Sequence, residues 1–353
     1  MEERPLRAMY LPDPMNSWPW PRQINPHYRE VTAQSTAWLH SLKLLGPKSQ
    51  RAFDRCETGL LAALAYPTAS KEHLRTGCDL LNLTFLVDEY SEMEDSCGIH
   101  EMVEVMLDAL CNPHKKRPAH EMHLGEAVCQ FWNLALETAS ESSQKHFVEA
   151  FTGYLYSIMQ EADECDAGAV LTIAHYLDIR SRNIGAYACF IPGELHLNLP
   201  DHIFYNPVLA DLRRIAAQLL IVNNDLMSYN KEQAIGRDEY NFLAIIMRTD
   251  STMDLPAATS WLSAYHESLQ SEFIDTISLL PSFGLALDRE VQEYTSYLAN
   301  WPRAQDCWNF ESTRYFGNKG LEIQVTRKVP LFPKLKRNPR VKEEGVTVQL
   351  VEL

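Results

Sequence analysis

Helical periodicity runs through almost the whole chain, and it limits the available folds more than any other feature does. From about residue 30 to residue 316, apolar residues recur at spacings of three and four, as in 147–159, 209–222 and 261–280. The 353 residues include only 14 glycines, and no paired alternating segments are joined by the Asn-Gly or Asp-Gly turns typical of β-hairpins. Neither an internal repeat nor a break in composition divides the sequence. We therefore predict an all-α fold, a single bundle of about ten to twelve helices.

The two ends of the chain differ from this helical stretch. Residues 1–30 form a Pro/Trp-rich arm, and their tryptophans favour an ordered irregular segment over a loose tail, because disordered segments are poor in aromatic residues. Between Arg327 and Lys342 the sequence has seven basic residues and no acidic one. We predict a helical domain over 31–320 and a mobile basic tail over 321–353. The alternative for the tail is contact with the acidic body or with a membrane surface.

The charge balance excludes several classes of partner. With 32 Lys and Arg against 47 Asp and Glu, the formal net charge is −15, whereas a general nucleic-acid binder needs a basic surface. No apolar run approaches the roughly 20 residues that a transmembrane helix needs. The N-terminus lacks the apolar core of a signal peptide, and the eight cysteines include no CxxC pair. We expect a soluble, cytoplasmic protein with reduced cysteines.

The first candidate site is an acidic cluster that directly follows the apolar run 80–87. Five of the eight residues from 88 to 95 are acidic. Asp88 and Glu92 are four residues apart and share a helix face, and Glu89 lies one residue round. Carboxylates at the C-terminal end of a buried helix face the negative end of its dipole, which is unfavourable unless a cation binds there. Oxygen ligands without His or Cys suit Mg²⁺; the alternative is a solvated, fraying helix end.

The second candidate site follows another apolar run, 215–222. Asn224, Ser228 and Glu232 have the spacing i, i+4, i+8, which places three oxygen donors along one stripe of a helix. Lys231 is adjacent and could reach a bound anion, although polar capping at a helix end would account for the same residues. If the two helices face each other across one cavity, they form a divalent-cation site for a diphosphate.

With these two motifs in this order, the chain resembles class I terpene synthases, specifically the fungal (mushroom-type) sesquiterpene synthases. The segment 88–92 is similar to the family's aspartate-rich motif, although two glutamates depart from the strict DDxxD form. The second metal motif, (N/D)D(L/I/V)x(S/T)xxx(E/D), is matched in full over 224–232. Arg314-Tyr315 is similar to the family's diphosphate-contacting pair. The resemblance covers most of residues 10–320 and implies one α-helical bundle around a central cavity.

The resemblance also implies roles for individual residues. Three Mg²⁺ ions are expected, and the implied metal ligands are Asp88, with Glu92 or Glu89, and Asn224, Ser228 and Glu232. The implied diphosphate contacts are Arg180, Lys231, Arg314 and Tyr315. Because Ser181 interrupts the family's double arginine, the diphosphate sensor stays open between Arg180 and Arg182. The candidate aromatic liners of the cavity are Phe85, Tyr90, Phe190, Trp308 and Phe310.

The activity implied by the resemblance is ionisation of farnesyl diphosphate with release of diphosphate and cyclisation of the farnesyl cation. Closure would be 1,11, of the Δ6-protoilludene type, with a 1,10-cyclising muurolene- or cadinene-type enzyme as the alternative. A helical protein that binds a prenyl diphosphate without turnover is the alternative from a different functional class. The N-terminal arm could help to seal the cavity when substrate binds. We interpret the acidic run 161–166 as solvated surface, and the sequence leaves the oligomeric state open.

Overall fold

The computed structural model describes residues 8–168 and 171–334. Fifteen α-helices and a pair of three-residue β-strands lie within these residues. In chain order the elements are β1 (Ala8–Tyr10), α1 (Tyr28–Leu42), α2 (Pro47–Asp54), α3 (Thr58–Ala65), α4 (Lys71–Ser91), α5 (Ser96–Cys111), α6 (Leu124–Leu136), α7 (Glu141–Asp166), α8 (Ile173–Asn183), α9 (Ala186–Phe190), α10 (Asp201–Phe204), α11 (Pro207–Ile235), α12 (Phe242–Thr249), α13 (Leu255–Ile277), α14 (Leu285–Glu311), α15 (Gly320–Thr326) and β2 (Lys328–Pro330).

The predicted all-α fold is confirmed, although the helices are more numerous than expected. The additional ones are short: α9 has five residues and α10 has four. Elements of one turn carry no recognisable apolar period, since the helical repeat is 3.6 residues. The long helices coincide with the apolar periodic stretches of the sequence.

Helix α11 lies at the centre of the bundle and carries the second candidate motif. It begins at Pro207, which suits the first turn of a helix because proline has no N–H to leave unpaired. The Asn206 side chain accepts a hydrogen bond from the backbone N–H of Val208 at 3.0 Å. Gly236, with φ of 70°, ends the helix in the left-handed conformation that glycine adopts without strain. Helices α8, α12, α13 and α14 all pack against it.

A sharp break separates α8 from α9 beside the second candidate motif. Gly185 has φ of 74°, a conformation that L-residues with side chains rarely adopt. A Cβ at this position would lie 3.4 Å from the Tyr154 ring of α7. The break therefore ends α8 beside α7, and Arg180 in its last turn reaches α11.

The N-terminal arm is ordered over its described residues and packs on α13 and α14. The Trp18 ring is buried, donates its indole N–H to the Ala299 carbonyl at 2.9 Å and lies 5.3 Å from the Phe273 ring. Arg303 donates to the backbone carbonyls of Met15, Trp18 and Trp20. These bonds tie three backbone carbonyls of the arm to α14. Residues 1–7 lie outside the described part of the chain.

The helical body continues past residue 320, where the sequence analysis ended the domain. Ile323 of α15 and Val329 of β2 are buried, and β2 pairs antiparallel with β1 in the register Met9 to Val329. The following backbone is fixed to α11, because the Asn230 side chain donates to the Pro330 carbonyl and accepts from the Phe332 N–H. Residues 321–334 thus differ from the mobile tail that we expected. The remainder of that prediction, 335–353, lies outside the described residues.

The cysteines are unpaired, and most of them lie in the core. All eight cysteines are free thiols, and Cys56, Cys78, Cys129, Cys189 and Cys307 are buried, as expected for small core residues. Over residues 8–168 and 171–334, no helix combines the length and the apolar character that crossing a membrane requires.

Candidate active site

The dipeptide Arg314-Tyr315, just beyond the end of α14, joins the two candidate motifs. The Arg314 guanidinium lies 3.0 Å from an Asp88 carboxylate oxygen and 3.3 Å from a Glu89 carboxylate oxygen. The Asn224 side-chain amide donates to the Tyr315 hydroxyl at 2.9 Å. Arg314 and Tyr315 are consecutive, and one contacts the end of α4 while the other contacts the middle of α11. The two helices are therefore close together at this point. The juxtaposition that the sequence analysis required is therefore present.

Arg180 lies at this junction, and Arg182 does not. Arg180 donates to the Asn224 side-chain carbonyl at 2.8 Å and to the Asn183 side-chain carbonyl at 3.0 Å. Its guanidinium is also 3.7 Å from an Asp225 carboxylate oxygen. The Arg182 side chain is 40% exposed and pairs with Asp178 on its own helix at 2.8 Å. Residues two positions apart on a helix point about 200° from each other around the axis. Only one of the two arginines can therefore face α11.

Ser228 and Glu232 continue the Asn224 stripe toward the end of α11. Burial raises the pKa of the Glu232 carboxyl to about 7, and the nearby Asp225 charge acts in the same direction. The Asn241 side-chain amide donates to Glu232 at 2.9 Å and lies 3.5 Å from the Ser228 hydroxyl. The three predicted donors therefore occupy one continuous face, with Asn241 behind its far end.

The first motif is neutralised by arginines. Asp88 is exposed and Glu89 is buried, and Arg314 contacts both. Burial raises the pKa of Glu89, while the Arg314 charge opposes that rise. Glu92 pairs instead with Arg237 at 3.1 Å. Glu89 and Glu92 were the two alternatives for a second metal ligand beside Asp88. Glu89 contacts the same arginine as Asp88, Arg314, whereas Glu92 contacts Arg237.

Lys231 is close to the first motif without contacting it directly. Its positive charge lowers the pKa of Glu89 and that of the Cys56 thiol, although burial dominates both groups and raises their pKa values. Among the described residues, no hydrogen-bond acceptor or ion-pair partner is assigned to its ammonium group. A cation that faces carboxylates without a direct partner is available to an incoming anion.

Glu161 belongs to the site, and its interpretation as solvated surface was wrong. It accepts a hydrogen bond from the Asn183 side chain, and burial raises its pKa to about 7 despite the opposing charge of Arg180. Glu161 lies seven residues after Tyr154, which is buried on the inward face of α7. That heptad spacing was the available signal, and it was obscured because the neighbouring acids Asp163 and Asp166 are exposed.

The donor set fits a hard divalent cation. Asn224, Ser228, Glu232 and Asp88 present amide, hydroxyl and carboxylate oxygens, which are the ligands of Mg²⁺. In the described ranges, no group of three or more His, Cys, Asp or Glu residues is arranged to hold a metal. A metal held here would therefore need neutral oxygen donors, such as those of Asn224 and Ser228, in addition to carboxylates. A cation would also favour the charged form of the buried Glu232 carboxyl.

Two of the five predicted aromatic liners lie at this junction. The Phe85 and Trp308 rings meet edge to face at 5.6 Å, and Arg314 lies 4.8 Å from the Phe85 ring centre. Trp308 also meets the Tyr315 ring at 5.7 Å. Its indole N–H donates to the Cys56 carbonyl at 2.8 Å. The pair forms an aromatic wall directly beneath the arginine.

The other three predicted liners pack away from the arginine. Tyr90 donates to the Leu44 carbonyl at 2.9 Å, Phe310 stacks on Phe316 at 5.6 Å, and Phe190 meets Trp301 at 6.1 Å. On α4, Tyr90 is five residues from Phe85 and points about 140° away from it. On α14, Phe310 is two residues from Trp308 and points to the opposite side. Helix geometry thus places Tyr90 and Phe310 away from this junction, and their role as cavity liners stays a prediction.

Comparison with known proteins identifies the family of this chain. The sequence pattern of the family described as terpene synthase family 2, C-terminal metal binding, matches residues 79–272. The chain is 51% identical over 353 residues to Sesquiterpene synthase 14 of Postia placenta, covering 100% of both chains. It is 49% identical to Delta(6)-protoilludene synthase 8 of the same fungus, covering 96% of this chain and 99% of that one. A Delta(6)-protoilludene synthase of Stereum hirsutum is 42% identical over 93% of this chain and 89% of its own length.

Solved structures share the fold. An a-eudesmol synthase superposes with a TM-score of 0.74 at 18% identity, covering 84% of this chain and 98% of that one. A linalool/nerolidol synthase from Streptomyces clavuligerus gives 0.72 at 21% identity, covering 83% and 99%. At these identities the likeness concerns the fold alone. The family pattern and the near full-length fungal relatives, which carry names of the same kind, show that this chain belongs to the terpene synthase family, among the fungal sesquiterpene synthases.

Proposed function

We propose that the protein is a Mg²⁺-dependent sesquiterpene cyclase that ionises farnesyl diphosphate and closes the resulting cation into a ring. The observation that supports this most strongly is the link made by Arg314-Tyr315 between Asp88 on α4 and Asn224 on α11. A diphosphate bound beside that link would meet cations and oxygen donors from both helices.

The charged residues would act on the leaving group. Asp88 on one side, and Asn224, Ser228 and Glu232 on the other, would hold Mg²⁺, which when bound neutralises diphosphate charge as a Lewis acid. Arg180, Arg314 and Lys231 would add fixed positive charge, and the Tyr315 hydroxyl a hydrogen bond, as the carbon–oxygen bond breaks. Both electrons of that bond leave with the diphosphate, so the allylic carbon becomes cationic. These contacts strengthen as negative charge develops on the diphosphate, and they therefore accelerate ionisation.

The aromatic wall would protect the organic cation. Trp308 is 1% exposed, and Phe85 meets its ring directly beside Arg314. Aromatic faces stabilise nearby cationic carbon, and a dry surface prevents premature capture by water. Diphosphate and cation would thus be held on opposite sides of one narrow junction.

The names of the fungal relatives favour 1,11-closure to a Δ6-protoilludene-type hydrocarbon. Two relatives at 48–49% identity over nearly the full length are named Delta(6)-protoilludene synthases. A 1,10-cyclising enzyme would share the same ionisation machinery and differ in the shape of the apolar wall. The product therefore depends on cavity shape, and release of diphosphate does not.

Incubation of the purified protein with farnesyl diphosphate, with and without Mg²⁺, tests this proposal. Gas chromatography with mass spectrometry is expected to detect a Mg²⁺-dependent tricyclic hydrocarbon, and a parallel assay an equal amount of diphosphate. A 1,10-closed bicyclic product would overturn the closure mode and leave the cyclase function in place. Farnesol alone, or tight binding of the substrate without diphosphate release, would exclude a cyclase.

A further inference from the structure

Asn241 is the fully buried residue in the turn between α11 and α12, and no role follows for it from either metal motif. Its side-chain carbonyl accepts from the Leu243 N–H at 3.0 Å and so caps α12. This bond fixes the orientation of the amide, because the oxygen must face the helix end and the nitrogen must face α11. The NH₂ group therefore points at the second motif.

Both hydrogens of that NH₂ group are used on α11. One donates to the Glu232 carboxylate and the other to the Asp225 backbone carbonyl, each at 2.9 Å. The Ser228 hydroxyl is 3.5 Å away. A single amide thus spans nearly two turns of the helix that carries the predicted metal donors.

A second pair of bonds holds the same joint. The Asp225 carboxylate accepts from the Phe242 N–H at 2.8 Å and from the Tyr176 hydroxyl. A carboxylate at the start of α12 is also favoured by the helix dipole. The joint between α11 and α12 is therefore fixed independently of Asn241, so removing the amide should change the direction of Glu232 more than the path of the chain.

Capping alone does not require asparagine here. Ser and Asp are about as favourable as Asn at helix N-termini and Thr is somewhat less so, and none of them can cap α12 and also donate to both Asp225 and Glu232. Aspartate would in addition place a third carboxylate beside Asp225 and Glu232. The residue type matches the donor requirement rather than the cap.

We propose that Asn241 is a positioning residue for the second metal motif, whose amide aims the Glu232 carboxylate so that it shares a cation with Asn224 and Ser228. This inference rests on the proposed function of that motif. Groups that orient metal ligands typically affect metal affinity or activity by 10- to 100-fold.

The test compares Asn241→Thr with Asn206→Thr. Threonine is close to asparagine in size and can cap a helix, but it has no amide to donate. Asn206 caps α11 through the same kind of bond, its carbonyl accepting from the N–H two residues on at 3.0 Å, so its variant controls for the change of cap. Asn241→Ser is a second variant that needs less space if threonine does not fold.

Three quantities are measured on each full-length protein. They are the melting temperature without metal, the rise in melting temperature caused by Mg²⁺ with inorganic diphosphate, and the Mg²⁺ concentration that half-saturates turnover of farnesyl diphosphate. Asn241→Thr is expected to raise the half-saturating Mg²⁺ concentration about tenfold or more and to reduce the ligand-induced rise. Its metal-free melting temperature should lie below that of Asn206→Thr, because two buried acceptors on α11 lose their donor.

The outcomes separate this inference from the proposed function. A wild-type protein that responds to neither Mg²⁺ with diphosphate nor the substrate would remove the proposed function, and this inference with it. A responsive wild type with an unchanged Mg²⁺ requirement in both Asn241 variants would overturn this inference alone. A lower metal-free melting temperature with an unchanged Mg²⁺ requirement would likewise reduce Asn241 to a helix cap.

Discussion

The two motifs manage the same problem, negative charge at a proposed cation site, in opposite ways. The end of α4 concentrates carboxylates, and arginines from distant parts of the chain neutralise them: Arg314 for Asp88 and Glu89, and Arg237 for Glu92. The α11 stripe has one carboxylate, Glu232, and surrounds it with neutral donors such as Asn241.

If these motifs bind metal as proposed, they would have to respond to it differently. On α4, arginine–carboxylate pairs have to share or exchange partners with the incoming cation, so the first motif is set up for rearrangement. On α11, hydrogen bonds to neutral groups can persist beside a cation, so the second motif is pre-organised. Three comparisons between residues of the same type, and one pH dependence, can break or sharpen this contrast.

The largest effect is expected at Asn224, compared with its neighbour Asn223. Asn224 bonds to both Arg180 and Tyr315, whereas neither polar atom of the buried Asn223 side chain has a partner in the described part of the chain. Asn224→Ala should lower the rate of diphosphate release by a factor of about 10³. It removes a proposed metal ligand and the hydrogen bonds to Arg180 and Tyr315. Asn223→Ala, which makes the same change in helix propensity, should melt at or above the wild-type temperature. Equal loss of turnover in both variants would contradict the assignment.

The two arginines of α8 give the next comparison. Arg180→Gln should reduce turnover by about 10², because it removes a fixed positive charge from the site. Arg182→Gln removes an exposed pair with Asp178 and should stay within about twofold of wild type. Single-turnover kinetics with farnesyl diphosphate would measure both, and a larger loss at Arg182 would reverse the order inferred from their directions on the helix.

The two arginines of the first motif should differ by a smaller factor. Arg314 is largely buried and contacts two carboxylates and the Phe85 ring, whereas Arg237 and Glu92 are each more than a third exposed. Arg314→Gln should lower kcat by about tenfold or more, and Arg237→Gln should change it by less than about threefold. Steady-state kinetics across a Mg²⁺ titration would distinguish them. Comparable losses would mean that the exposed pair is as important to the site as the buried one.

The smallest effect concerns stability against pH. Burial raises the pKa values of Glu161 and Glu232 to about 7, above the roughly 4.3 of an unfolded glutamate. A raised carboxyl pKa favours the folded state most at low pH, and this contribution is lost as pH rises through the folded pKa. The metal-free melting temperature should therefore fall by roughly 2 °C or more between pH 5.5 and 8. Glu161→Gln and Glu232→Gln should each flatten the profile, and a profile steeper than that of wild type would contradict the shifts.

The sequence predicted the helices and the two motifs because both signals are local. An apolar period fixes which face of a helix is buried, and the spacing of Asn224, Ser228 and Glu232 fixes that they share a stripe. Asn241 was not predicted because its role depends on partners from another helix, which no local pattern contains. Glu161 was not predicted because exposed acids around it obscured its heptad spacing from Tyr154. Arg182 and Tyr90 show the opposite case. Each has a suitable residue type and lies near a motif in the sequence, but its side chain points away from the site because of its position on the helix.

Residues 321–334 were misjudged for a related reason. Their composition is basic and rich in proline, which is typical of solvated tails, yet Val329 is buried and the backbone on either side of it bonds to β1 and to α11. Strand pairing and side-chain bonds to backbone depend on geometry rather than on composition. A short segment of this kind carries too few apolar residues to show a period.

The most direct test of the account is to locate the metal. Crystals grown with Mn²⁺ and inorganic diphosphate, measured at an energy where Mn²⁺ scatters anomalously, would reveal each metal position. The account predicts anomalous peaks between Asp88 and the Asn224–Ser228–Glu232 stripe, with the diphosphate in contact with Arg180, Arg314 and Tyr315. Peaks elsewhere, or diphosphate bound without metal at that junction, would contradict it.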